Sequence, residues 1–553
     1  MNCHGRVRLL AFVLVACCIQ AQPLISPKGI VSSATYGPPL LPGGAIAQGS
    51  IFSIFGSGMG PATAAQVAVF PLQVALGGVS LKVIQGSTSV DAIPLYASDG
   101  VINAIMPSNA PTGLVSVQVT FNGVKGNMAP VMVAKNAPAI YTSTGAGVGA
   151  GSIQNFVSAT VQPLNSAKVT AKQGQAEILW LTGLGPVTTA DNVAPTVATL
   201  PYQTEVWVGG IAASVQYSGR TGCCAGVDEI VFTVPSNAPN GCFVPVQVRV
   251  AGTAVSNAVT MAIDSQGGAC SDAANTLSAT YTRGGNLGAV MLIRRMFHVD
   301  AGDEPVVDVT VDQAMGNFQK ASGADYAFNP SAALPPAGSC TVYSQKGDLS
   351  ESAVPFITDA GILDAGAISV TGPKATLPLV LFKATDHQTY AAQFGSTGLL
   401  PAGLTQSPLF LDPGTFQIKG AGGTNVGAFT ASVTVDAGAT WTNRDQITTI
   451  DRTKGLTVTW SGTPANVAVS GMGTDLPTDS STGFLCMAPA GTTSFTVPAY
   501  VLANVPPTRA NDNESRSVVA LLSATAPVKF TATGLDNSAA FFMLMSAKAV
   551  TFQ

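Results

Sequence analysis

Along the first half of the chain, apolar and polar residues alternate in short runs that end on Gly, Pro or Asn. "VSLKV" (Val79–Val83), "VSVQVTFNG" (Val115–Gly123) and "VPVQVRVAG" (Val244–Gly252) each place every second side chain on one face. That period of two is the signature of a strand with one buried face. Turn signals recur every 8 to 12 residues or so, which is the spacing of a β-sandwich. The pattern also repeats. "GSIFSIFGSGMGP" (Gly49–Pro61) lies over "GQAEILWLTGLGP" (Gly174–Pro186) without a gap, an offset of 174 − 49 = 125 residues. "VSLKV" then matches "TEVWV" (Thr204–Val208), and Tyr96 falls opposite Tyr217. "INAIMPSNAPTG" (Ile102–Gly113) matches "IVFTVPSNAPNG" (Ile230–Gly241) at 230 − 102 = 128. Between the tyrosines and the isoleucines the offset moves from 217 − 96 = 121 to 128, so the second copy is seven residues longer there, in the loop holding "GCCAG" (Gly222–Gly226).

The predicted fold class is all-β: tandem immunoglobulin-like β-sandwiches with a further β-rich C-terminal half. The expected organisation is a signal segment at 1–21, repeat 1 at 22–142, repeat 2 at 143–264 and a polar linker at 265–276. A β-rich region at 277–435 and a C-terminal sandwich at 436–553 complete it. The Gly-rich "STGAGVGAGS" (Ser143–Ser152) reads as a flexible joint between the copies. A chain of 553 residues calls for several cores. With 10% charged residues, 59 Gly and 36 Pro, the balance favours strands and turns over salt-bridged helices.

The motifs carry a resemblance. The order of a strand ending in "GSGMGP", then "GGV", "INAIMPSNAPTG" and "VQVTFNG", and its second copy, resembles the IPT/TIG type of immunoglobulin-like domain. The tandem arrangement is similar to that in secreted proteins of soil acidobacteria. The resemblance covers roughly Ile30 to Asp264 and extends more loosely to "LDPGTFQIKGAGGTNVGAFTASVTV" and "TWTNRDQITTIDRTKGLTVTW". It implies a multi-sandwich envelope or extracellular protein and transfers no catalytic residue.

The N-terminus fits export. Arg6 and Arg8 precede the apolar run Leu9 to Val15, and Ala21 suits cleavage. Leu14-Val15-Ala16-Cys17 also resembles a lipobox, in which Cys17 would carry a lipid anchor. No later segment has the continuous apolar length of a spanning helix. Six cysteines remain after signal removal: Cys223, Cys224, Cys242, Cys270, Cys340 and Cys486. In an oxidising compartment such an even set reads as disulfides, with 15 formal pairings. In an immunoglobulin-like path the strand from Cys242 and the end of the next strand lie at one end of the sandwich, which favours Cys242–Cys270. Cys340–Cys486 would then tie the C-terminal regions, and Cys223 and Cys224 would bond each other or another partner. The alternative pairs Cys223 or Cys224 with Cys270.

Candidate chemistry is sparse. A net charge of −4 supplies no cationic surface for nucleic acid. "GSGMGP" and "GAGVGAG" lack the GK[ST] ending of a phosphate loop and read as turns. His298 and His387 can be drawn beside Asp300 and Asp386, yet strand neighbours point to opposite faces. The acid pairs Asp228/Glu229 and Asp300/Glu304 are the candidates for glycoside hydrolysis. "NDNES" (Asn511–Ser515) and "DLPTDSS" (Asp475–Ser481) offer oxygen ligands for Ca²⁺ without EF-hand spacing; no other cofactor is expected. Trp180 and Trp207 alternate with polar residues and are assigned to the core, leaving Trp441 as the ligand-binding candidate. The leading expectation is a secreted or surface-attached, non-catalytic protein that binds an extracellular glycan, a matrix component or an envelope protein. The alternatives are a polysaccharide-active hydrolase with accessory sandwiches and a structural subunit of a surface layer or filament.

Overall fold

A computed structural model describes residues 22–553 except 40, 146, 273–274, 300–306, 324–325, 327–332, 347–358, 384–387, 399–405, 479 and 509–514. The signal segment and Cys17 therefore lie outside the described residues. The described chain is all-β, with two immunoglobulin-like sandwiches in tandem and a larger β assembly after them.

Each repeat is built around one strand that serves two sheets. In repeat 1, Thr88–Ala97 pairs through Thr88 to Ala92 with Val79–Gln85, and through Ile93 to Ala97 with Val101–Ile105. In repeat 2, Ile211–Arg220 does the same with Thr204–Val208 and Asp228–Thr233. Alternation then fills each interior. Phe52, Ile54, Leu81, Val83, Val117 and Val119 are buried in the first, and Leu179, Leu181, Val206, Val208, Phe232 and Val246 in the second. Burying each such side chain stabilises by about 1.5–3 kcal/mol.

The duplicated loop has the same internal wiring in both copies. Gln48 Nε2 donates to Ala110 O at 2.5 Å, and its counterpart Gln173 donates to Ala238 O at 2.9 Å. Gly49 N reaches Met106 O (2.7 Å) as Gly174 N reaches Val234 O (2.8 Å). Pro-Ser-Asn-Ala closes a tight turn in each, with Ala110 N on Pro107 O and Ala238 N on Pro235 O. The joint between the copies is not free. Ser143 N binds Ala150 O, Gly151 N binds Thr260 O and Thr260 N binds Gly149 O. A Cβ on Gly147 (φ +75°) would come within 2.5 Å of Thr35 O. The expectation of a flexible joint is corrected: its glycines allow close packing against both repeats.

The segment expected as a linker at 265–276 ends in a short helix, Thr276–Arg283, which leads into the long strand Gly285–Val299. This strand pairs antiparallel with Val307–Ala321 and parallel with Asn537–Ala549. Cys340–Lys346 pairs with Ser480–Met487. The Asn537–Ala549 and Cys340–Lys346 pairings cross the division expected near residue 435, so one sheet runs through both C-terminal regions. That sheet borders two cores, one around Phe318, Phe410, Phe416 and Phe429, the other around Trp441, Trp460, Phe484 and Phe552.

Candidate functional site

The extra length of the second copy builds a joint. In repeat 1 the hairpin closes at Ala97↔Ile102. In repeat 2 the matching hairpin continues past Tyr217↔Val231 to Arg220↔Asp228 before it turns. The insertion thus makes a tongue that lies on repeat 1. Gly226 (φ +76°) is its contact point: a Cβ there would lie 2.7 Å from Ile51 Cγ1 and 3.2 Å from Ile105 Cγ1. Thr182 Oγ1 donates to Gly226 O (2.7 Å) and accepts from Ile51 N (3.0 Å), so one hydroxyl joins both repeats. Ala225 packs on the apolar cluster of Leu72, Ile93 and Ile105.

Beneath the tongue, Arg220 and Asp228 form a buried ion pair. Arg220 Nη2 also donates to Gly49 O of repeat 1 (2.9 Å) and Gly185 O (3.0 Å), while Leu184 N donates to Asp228 (2.8 Å). Burial pushes the Asp228 carboxyl above its ordinary value, and Arg220 and the Leu184 N–H oppose the shift. A pair this buried is kept by its hydrogen bonds, since desolvation alone offsets most of the attraction. The duplicated loop adds a further tie. Ser108 N and Oγ both donate to Asp191 at 2.7 Å, and Val187 N donates to Ser108 Oγ at 3.0 Å.

On the outer side, the tongue carries a disulfide between adjacent residues, Cys223 and Cys224, both exposed. Thr221 Oγ1 accepts both of their amides at 3.3 Å. Apolar side chains flank it. Val197 (66% exposed) borders Gly222, where a Cβ would meet its Cγ2 at 3.2 Å. Leu72 and Asn192 exchange backbone and side-chain hydrogen bonds, which draws exposed Val69, Phe70 and Val74 towards exposed Val193. Exposed Val197 thus lies beside the disulfide loop, and a second exposed apolar group gathers where Leu72 meets Asn192.

The other expected sites fall differently. The structure pairs Cys242 with Cys270 and Cys340 with Cys486, all four buried. Trp441 is corrected from surface platform to core: it is 7% exposed, pairs in register with Trp460 and donates to Asn443 Oδ1 (2.9 Å). Trp180 and Trp207 are corrected in the opposite sense, because Val206 and Val208 take the inward positions and leave Trp207 facing out. Trp207 stacks on Tyr500 at 4.5 Å, tying repeat 2 to the C-terminal half, and the Arg249 guanidinium lies over the Trp207 ring at 4.8 Å; Trp180 donates to Gln154 (2.7 Å). Asp228/Glu229 is divided, with Asp228 locked to Arg220 and Glu229 pushed up by its own burial. Asp300, Glu304, Asp386 and His387 lie outside the described residues, as do Asp479 and Asn511 to Glu514 of the Ca²⁺ candidates. Asp475 is buried and the strand Ser480–Met487 continues from its neighbour as a hairpin. No cluster of three metal-ligating His, Cys, Asp or Glu occurs among the described residues.

His298 gains partners that its local sequence did not show. Strand register sets Asp308 opposite it, with Nδ1 2.7 Å from Oδ1, and Asp445 lies 3.9 Å from Nε2. Arg444 bridges Asp445 (3.0 Å) and Asp308 (3.6 Å) and holds the Asp445 carboxyl below its ordinary value. These four side chains form one polar network on the His298 strand.

No family model matches the chain, and no curated protein matches it. Among solved structures, an I-band fragment of titin aligns with 75% of this chain and 98% of its own at 8% identity, TM-score 0.13. The SGBP-B protein from a xyloglucan utilization locus of Bacteroides uniformis aligns over 67% and 86% at 9% identity, TM-score 0.17. Domains 5 and 6 of the S-layer protein SbsC align over 44% and 98% at 13% identity, TM-score 0.13. Likenesses at these scores support no inference about ligand or activity. No helix among the described residues is long and apolar enough to cross a membrane.

Proposed function

We propose that the chain is a secreted or cell-surface, non-catalytic binding protein, with units at 22–142 and 143–264 that present one rigid face to an extracellular glycan or to an envelope or matrix protein. The observation that carries this reading is the set of exposed apolar side chains at the joint, Val197 beside the Cys223–Cys224 loop and Val69, Phe70 and Val193 about the Leu72–Asn192 contact, with a buried clasp beneath the loop. Exposed apolar side chains gathered at one place mark interaction surfaces. A joint fixed in advance lowers the ordering cost of binding. Three disulfides fit an oxidising compartment, which supports export.

The test is a binding screen of the oxidised chain from Gln22 to Gln553 against cell-wall polysaccharides and envelope extracts, following both retention and release of reducing ends. Retention without release, weakened roughly tenfold by Val197→Asp, is expected for an apolar anchor. Retention that ignores Val197→Asp moves binding off this face. Release of reducing ends would replace the proposal with the hydrolase reading, and ordered self-assembly of the purified chain would replace it with a structural subunit.

A further inference from the structure

We propose that Cys223–Cys224 is a thiol–disulfide exchange site whose co-reactant is a dithiol, and that opening it releases the tongue of repeat 2 from repeat 1. The proposal concerns the proposed binding face but does not rest on it, because exchange is read on the chain without any ligand. Three observations lead there. First, access differs among the bridges. Cys242, Cys270, Cys340 and Cys486 are 0–5% exposed, whereas Cys223 and Cys224 are both exposed at the tip of a hairpin. Exchange requires a thiolate to reach a sulfur in line, so exposure selects this bridge.

Second, the two sulfurs are not equivalent. Thr221 Oγ1 lies 3.3 Å from Cys223 Sγ, and a disulfide sulfur has no proton to give, so the hydroxyl is the donor. Its lone pairs face the Cys223 and Cys224 amides. The hydroxyl proton is therefore placed to stabilise negative charge on Cys223. The step follows from this. A thiolate of the dithiol attacks Cys224 Sγ, the S–S bond breaks, and Cys223 leaves as a thiolate held by Thr221. The second thiol then attacks the mixed disulfide, forming the cyclic disulfide of the dithiol and freeing Cys224. Two electrons pass to the protein, the dithiol is oxidised by the same two, and its two protons end on the cysteine sulfurs.

Third, the bridge locks the tip of the loop that clasps the repeats. Thr221 N bonds Val227 O (3.3 Å), Val227 N bonds Cys224 O (3.2 Å), and the next residues are Gly226, seated on Ile51, and Asp228, paired with Arg220. Opening the bridge frees the Cys223–Cys224 peptide, two residues before the first of those anchors, in the turn whose closing bond Val227 N makes to Cys224 O. The amides that report the clasp are Ile51 N on Thr182 and Leu184 N on Asp228.

The experiment exposes the oxidised full chain to dithiothreitol, quenches with an alkylating reagent, and maps labels by peptide mass spectrometry while following amide exchange at Ile51 and Leu184. Cys223 and Cys224 are expected to label at least about tenfold faster than the other four, with exchange at both amides rising as they do. Loss of the hydroxyl in Thr221→Val is expected to slow opening roughly tenfold, and Thr221→Ser to restore it. The double substitution Cys223→Ser with Cys224→Ser should show the loosened exchange without any reductant. Labelling of all three bridges at one rate, or opening that leaves Ile51 and Leu184 exchange unchanged, would overturn the proposal.

Discussion

Replacing Glu177 with Leu should stabilise repeat 2, and by an amount that grows with pH. Glu177 occupies the position that Phe52 fills in repeat 1, on the inward face with Leu179 and Leu181, and it is fully buried. Neither carboxyl oxygen has a hydrogen-bond partner, and burial pushes the group up to about 9. Its unfolded value is about 4.3. Between those values the unfolded chain has released the proton that the folded chain keeps, so stability falls as pH rises, by about 1.4 kcal/mol per pH unit. From about pH 5 to about pH 7.5 the loss is on the order of 3 kcal/mol. Below the unfolded value the charge contribution vanishes and only the unmet hydrogen bonding of the neutral acid remains, about 1–3 kcal/mol. Amide exchange, corrected for intrinsic rates, reads this locally. The strand Ala176–Thr182 should lose protection across the interval in the native chain and keep it in Glu177→Leu, while Ile51–Ser57 of repeat 1 serves as the internal control. Equal pH dependence of the two strands in the native chain would refute the reasoning, because it would mean that Glu177 finds a partner or water in solution.

Asp228→Asn removes one half of a fully buried pair and leaves the Arg220 charge unanswered; a loss of about 3–5 kcal/mol, read by urea unfolding of the chain, is expected. Gly226→Ala demands both a positive φ and room where Ile51 stands, so exchange at Ile51 should rise while the cores of both repeats keep their protection. Trp207→Ala removes the stack on Tyr500 and should cost about 0.5–1.5 kcal/mol beyond lost burial, seen as easier proteolysis between repeat 2 and the C-terminal half.

The sandwiches were legible because their signal is periodic: alternation states which face is buried, and the second copy confirms the reading of the first. The even set of cysteines was legible for the same kind of reason, a count in an expected compartment. Contacts set by register were not. His298 stood beside Asp300 in the sequence, but an antiparallel hairpin pairs it with Asp308, ten positions on. The inward setting of Trp441 was available in principle, since exposed Thr440 lies between buried Ala439 and Trp441. For the clasp, the available signal was the insertion itself, which carries an Arg and an Asp at its two ends.

The clasp also shows why the two copies diverge where they do. Two identical modules joined head to tail would each offer the same surfaces, yet each meets a different neighbour, so a closed joint needs asymmetry. The differences fall at those contacts. Leu114 of repeat 1 remains exposed, and at the same position repeat 2 carries Cys242, buried and bonded to Cys270 beside Phe243, Tyr281 and Leu287. Ile51 and Ile105 of repeat 1 receive the tongue that only repeat 2 possesses. Where the copies match, in Gln48 and Gln173 on their Pro-Ser-Asn-Ala loops, the bonds are internal and maintain the sandwich. Ser108 extends that shared loop outward to Asp191, using a turn kept for folding to fix the neighbour's position. The residues that differ therefore close the joint between two otherwise matching sandwiches.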